Sequence, residues 1–165
     1  MARINIILLL CVVLLAAGCG ESAEERIVEK QIEKATGADA DVDFSKDGMK
    51  VTGKTDEGKF TIATGEKTEI PKDFPTDVFI YRPSKAIMVM KIPEGYSVAL
   101  TTQDDRSKVV SAYGREMEAK GWSEEASMNM GPQLMIVYKK NERTANISIG
   151  SSDQGLQINV MVATQ

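Results

Sequence analysis

The side chains that could do chemistry are few and uneven in kind. There are two thiols, Cys11 and Cys19, and no histidine in the 165 residues. Without imidazole there is no histidine general base, no Ser-His-Asp triad and almost no route to a zinc site. Ser151-Ser152 therefore lacks a base partner. The carboxylates come nearest to a constellation at Asp104-Asp105 and Glu124-Glu125. Paired acids do general acid–base work when burial splits their pKa values. These pairs flank a turn or a helix start, where carboxylates cap or stay solvated. A second pattern is made of thioethers. Met88-Val89-Met90 and Met128-Asn129-Met130 each set two methionines at i, i+2, on one face of a strand. Soft sulfur selects Cu(I), so Met88, Met90, Met128 and Met130 are the one metal candidate. Methionine is also an adaptable core residue, and burial against helix or sheet is the main expectation for all four. No catalytic residue and no cofactor site is expected.

Cys19 takes its meaning from what precedes it. Met1-Ala2-Arg3 carries a cation, residues 6–17 are apolar throughout, and Ala16-Ala17-Gly18 places small residues directly before the cysteine. Beyond it the chain turns polar at once, with Glu21, Glu24, Glu25 and Arg26. This is the layout of a secretory signal peptide. The apolar run is too short to span a bilayer as a helix, which needs about 20 residues. Leu15-Ala16-Ala17-Gly18-Cys19 resembles the lipobox of bacterial lipoproteins, with Ala16 where that family most often has Leu. The resemblance implies cleavage before Cys19, diacylation of its sulfur and acylation of its new amino group. One acyl chain holds a protein only reversibly; two or more anchor it firmly. Family members kept in the inner membrane carry Asp after the cysteine. Here that residue is Gly20, which implies the outer membrane, facing the periplasm, in a Gram-negative host.

Composition narrows the rest. Twenty basic residues against 24 acidic ones give a net charge of −4, with no long block of either sign. Loss of Arg3 with the signal makes the remainder slightly more acidic. Nucleic-acid binding and an anionic-lipid patch are both disfavoured. With Cys11 discarded and Cys19 acylated, no disulfide is available, so the core must hold by packing. Residues 19–165 suffice for one real core or two small ones.

The elements follow from periodicity. Residues 22–36 predict a helix, with Ser22 and Glu25 spaced as a capping box, Lys34 in the last turn and Gly37 at the C-terminal cap. Its apolar stripe is thin. Period-two alternation over 41–65, with turns at Asp47-Gly48 and Asp56-Glu57-Gly58, predicts a three-strand meander. Pro71, Pro75 and Pro83 mark a connector over 66–83 that includes the extended Val78-Phe79-Ile80-Tyr81. Strands at 86–92 and 96–102 precede a helix over 105–120, where Val109, Tyr113 and Met117 recur at helical spacing and Gly121-Trp122 closes the end. Four strands follow at 122–130, 134–140, 143–150 and 156–163. The last three each have one apolar face; Asn146, Ser148, Gln157 and Asn159 lie on the other. That contrast predicts an antiparallel sheet.

The expected fold class is therefore α+β: an antiparallel sheet covered by one helix, in strand–strand–helix–strands order, preceded by an N-terminal helix and a small β-meander. The expected division is a cleaved signal (1–18), helix plus meander (19–65), connector (66–83) and C-terminal α+β module (84–165).

A second resemblance covers about residues 70–163. The run from Val98 to Trp122, with Thr102-Gln103-Asp104, then Val109-Val110-Ser111-Ala112-Tyr113, then Gly121-Trp122, resembles a recurring bacterial lipoprotein module. Phe74-Pro75 and Ile80-Tyr81 fit the same pattern, although Ala112 and Met117 replace its usual Phe and Leu. The element order is similar to helix-grip domains, among them those of the lipoprotein of the outer-membrane β-barrel assembly machinery. The resemblance implies an envelope location and protein contacts, and supplies no catalytic residue. The function expected is a membrane-anchored, non-enzymatic envelope lipoprotein, held by lipid on Cys19 and contacting other envelope proteins. The alternative is a small-ligand or Cu(I)-binding lipoprotein.

Overall fold

The computed structural model describes residues 21–37 and 39–163; Cys19 and the apolar run before it lie outside these. Helix α1 (Glu21–Thr36) leads into strands β1 (Asp39–Ser45), β2 (Gly48–Thr55) and β3 (Gly58–Gly65). After the connector come β4 (Lys85–Ile92), β5 (Gly95–Thr102), helix α2 (Arg106–Ala119), β6 (Ser123–Met130), β7 (Gln133–Lys140), β8 (Arg143–Ser152) and β9 (Gly155–Ala163).

The nine strands of the described residues form one antiparallel sheet in the order β1-β2-β3-β4-β5-β9-β8-β7-β6. This corrects the expected fold class. Among the described residues strands outnumber helices nine to two, and the meander is no separate unit. It continues the sheet because β3 pairs with β4 across the connector, Thr61 opposite Lys91 and Thr64 opposite Met88. Nor does one helix cover the sheet. Strands spaced about 4.8 Å apart make nine of them roughly 40 Å wide, and a helix is only about 10 Å across.

What α2 does cover is the centre. Leu100, Ile158 and Ile149 face one another across β5, β9 and β8, as do Val98, Val160 and Ile147. Val109, Tyr113 and Met117 of α2 are buried against this inner face. The helix ends in a Schellman turn: the Trp122 N–H donates to the Met117 carbonyl at 3.0 Å and the Gly121 N–H to Glu118 at 2.9 Å. Gly121 takes φ +81°, a left-handed conformation that favours glycine. Phe74, Val78 and Tyr81 of the connector fill the same core, and the Phe79 N–H reaches Met117 Sδ at 3.4 Å.

The buried face then switches sides. Val42, Val51, Ile62 and Met90 form one cross-strand row on the outer face. There α1 lies against β1, and Ala40, Val42 and Val51 are buried outside the main core. Asp39, Asp41 and Asp43 alternate with them and are exposed. The two helices thus sit on opposite faces of one sheet. Glu29 of α1 also accepts a hydrogen bond from the Val42 N–H at 3.2 Å, closing one donor of the β1 edge.

Candidate functional site

Most polar side chains near the core are committed to holding elements together. Asp77 of the connector accepts from Lys140 Nζ at 2.8 Å and from Arg143 Nη1 at 2.9 Å. Burial alone would raise its pKa, but the hydrogen bonds and charges of Lys140 and Arg143 outweigh this and hold the carboxyl below its ordinary value. Arg143 also stacks over Trp122 at 5.1 Å, and Trp122 Nε1 donates to the Asp77 carbonyl at 2.7 Å. These bonds bind the connector to β7, β8 and the end of α2.

The acidic pairs read from the sequence are divided by the structure. Asp104 accepts from Lys108 at 2.8 Å and from the Tyr81 hydroxyl at 2.6 Å. Lys108, and after it Tyr81, lowers the Asp104 pKa. Asp105 is the N-cap residue of α2 and makes no side-chain cap bond. Glu124 and Glu125 lie on β6, whose every residue is exposed. Ser152 closes a turn, its hydroxyl donating to the Gly155 carbonyl at 3.0 Å. No acid pair shares a buried site that would split its pKa values.

The outer face of β4 to β9 is of a different kind. One row runs Met90, Ser97, Met161, Asn146, Val137, Ala126, and the next runs Met88, Ala99, Asn159, Ser148, Met135, Met128. Neither row contains a charged side chain, in a chain that is 27% charged. Met128, Met130 and Met161 are 47%, 50% and 54% exposed. Burial of all four candidate methionines is therefore overturned: Met128 and Met130 lie exposed on an edge strand, and Met88 and Met90 are half-buried. Met88/Met90 on β4 and Met128/Met130 on β6 share a face but stand five strands apart, about 24 Å along the sheet. They cannot hold one ion together. The residue overlooked is Met135, directly opposite Met128.

Two shallow hollows open on the surface of the described residues. One is lined by Pro132, Gln133, Gly150, Ser151, Gln157 and Asn159, the other by the ends of β2 and β3 with Lys67 and Thr68. Neither opens between α2 and the sheet, where the facing side chains are fully buried. Among the described residues no three His, Cys, Asp or Glu side chains are grouped to hold a metal. Among them, too, no helix is long and apolar enough to cross a membrane.

With this geometry in view, the comparisons are informative in one place. A START domain-like family model matches residues 86–155, from β4 to the start of β9. That is a helix-grip-like fold, compatible with the coarse resemblance read from the sequence. The match leaves out α1, β1 to β3 and the connector. No curated protein and no solved structure matches the chain.

Proposed function

We propose that this protein is a bacterial envelope lipoprotein, anchored by acyl chains on Cys19, with a non-enzymatic domain that contacts other envelope proteins. The observation that carries the reading is the run from Leu15 to Cys19, which closes an apolar segment behind a cationic start. Helix α1 begins two residues after Cys19, so the anchor joins the domain with almost no linker. A non-enzymatic role is supported by the use of Asp77 and Asp104 in bonds between elements. Protein contact is supported by the two uncharged rows across the outer face, since depletion of charge marks the centre of interfaces.

The test is processing in a bacterial host. A globomycin-type inhibitor of the lipoprotein signal peptidase is expected to accumulate the uncleaved chain, and intact mass is expected to show acyl groups on the mature amino terminus. Cys19→Ala is expected to leave the domain folded but released from membranes. Unchanged processing together with an unmodified terminus would sink the lipoprotein reading. Cross-linking in envelopes tests the contact role separately, and an anchored protein that captures no neighbour would remove it.

A further inference from the structure

Met128, Met130 and Met135 meet on the outer face of the β6–β7 hairpin. Met128 stands directly opposite Met135, and such cross-strand partners have Cβ atoms about 4.5–5.5 Å apart. Met130 lies two residues along β6 on the same face, a rise of about 7 Å. A methionine has three rotatable bonds and a polarizable sulfur. Three such side chains can bring their Sδ atoms to one point above the hairpin without moving the backbone.

The surroundings favour one kind of occupant. The rows of Met128, Met130 and Met135 hold no carboxylate to draw a hard divalent ion and no ammonium to repel a cation across β6 to β9, and two charges further along this face, Glu125 and Lys139, pair with each other at 3.8 Å. The hairpin is braced from its other face by Arg106 of α2, whose Nη1 donates to the Pro132 carbonyl and Nη2 to Asn129 Oδ1, each at 3.3 Å. The turn is fixed from beneath, while on the outer face Met128 and Met130 are about half exposed and Met135 is half-buried.

The geometry points to a soft-metal site: Met128, Met130 and Met135 bind Cu(I) through three neutral thioethers. Thioether ligands select Cu(I) over the harder divalent ions. They carry no proton at ordinary pH, so binding releases none. Affinity then persists in acid, where thiolate and imidazole ligands protonate and let their metal go. The site excludes Met88 and Met90, and it does not depend on the lipoprotein reading.

The test uses the full chain in detergent with Cys11→Ser and Cys19→Ser, so that no thiolate competes, and Ag(I) as the redox-inert probe. About one equivalent is expected to bind with the same affinity at about pH 7 and about pH 4. The ε-methyl NMR signals of Met128, Met130 and Met135 should shift, and those of Met88 and Met90 should stay. The triple variant M128L/M130L/M135L, nearly volume-conserving, is expected to lose the bound equivalent while its thermal melt is unchanged. The M88L/M90L variant is expected to keep it. No binding by the folded parent chain would overturn the proposal. So would binding that survives in the triple variant or disappears in acid. Cys19 processing is measured apart, so either reading can fail alone.

Discussion

Among the described residues the Tyr138 hydroxyl has no hydrogen-bond partner, and its side chain is almost fully buried in the core. Burial, and then the charge of Glu124, pushes its phenol pKa up to about 12. A buried hydroxyl left unbonded costs about 1–3 kcal/mol of desolvation, while the ring beneath it fills space. The two parts can be separated. Tyr138→Phe removes the oxygen alone and is expected to leave the melting temperature unchanged or raise it. Tyr138→Ala removes the ring and is expected to cost about 3–5 kcal/mol. Denaturant unfolding of both variants checks this; a Phe variant as damaged as the Ala variant would mean the hydroxyl has a partner. That Tyr138 points inward was legible, because it alternates with Ile136 and Leu134. Its lack of a partner was not, since that depends on residues brought in from α2 and the connector. Met135 was legible in principle. The two-residue Gly131-Pro132 turn sets Met130 opposite Gln133 and hence Met128 opposite Met135, a consequence that alternation within single strands does not reveal.

At the level of elements, α2 and the connector form one plug on the inner face. The stripe of Val109, Tyr113 and Met117 was visible from helical spacing alone, and all three are buried. Met117→Ala is expected to cost about 2–5 kcal/mol. Arg115→Ala, on the exposed side, is expected to stay within about 0.5 kcal/mol. Equal melting of the two would remove α2 as the centre of the core. The connector was less legible. Its prolines announce irregular backbone but not what holds it, because the partners of Asp77 lie 63 and 66 positions further on. That carboxyl gives a pH signature. Its folded pKa lies below the ordinary value of 3.8, so its contribution is fully present above that value and is lost as pH falls through the depressed folded pKa. The parent protein is therefore expected to lose stability below about pH 4. Asp77→Asn is expected to be less stable near neutrality and to show a flatter acid profile. A variant with the same acid slope as the parent would show that Asp77 contributes no such linkage.

Across the whole molecule, the notable fact is that one sheet buries its inner face across β4, β5, β9, β8 and β7 and its outer face at β1 and β2. Local alternation reveals that a strand has an apolar side, and β1 to β3, β5 and β7 to β9 were legible on that ground. It does not reveal whether two strands turn their apolar sides the same way, because that is set by pairing between distant segments. Here Ile62 pairs with Met90 and Ala63 with Val89, so the row of Val42 and Val51 runs on into an uncharged row of the outer face. The meander consequently read as a module of its own. The switch implies that α1 protects only its own end of the sheet. Burying a valine is worth about 1.5–3 kcal/mol, and α1 helps bury both Val42 and Val51. Deleting residues 21–37 is therefore expected to speed amide exchange through β1 and β2 by several orders of magnitude. Val98, Ile147 and Val160, sealed by α2 and the connector, are expected to keep their protection. Native-state hydrogen exchange on the parent and truncated chains distinguishes the outcomes. If protection at Ile147 and Val160 falls as far as at Val42, the nine strands unfold as one cooperative unit and the change of buried face marks no energetic boundary. If it holds, the central sheet with α2 and the connector is the stable body, and α1 is a clasp over the β1–β2 end alone.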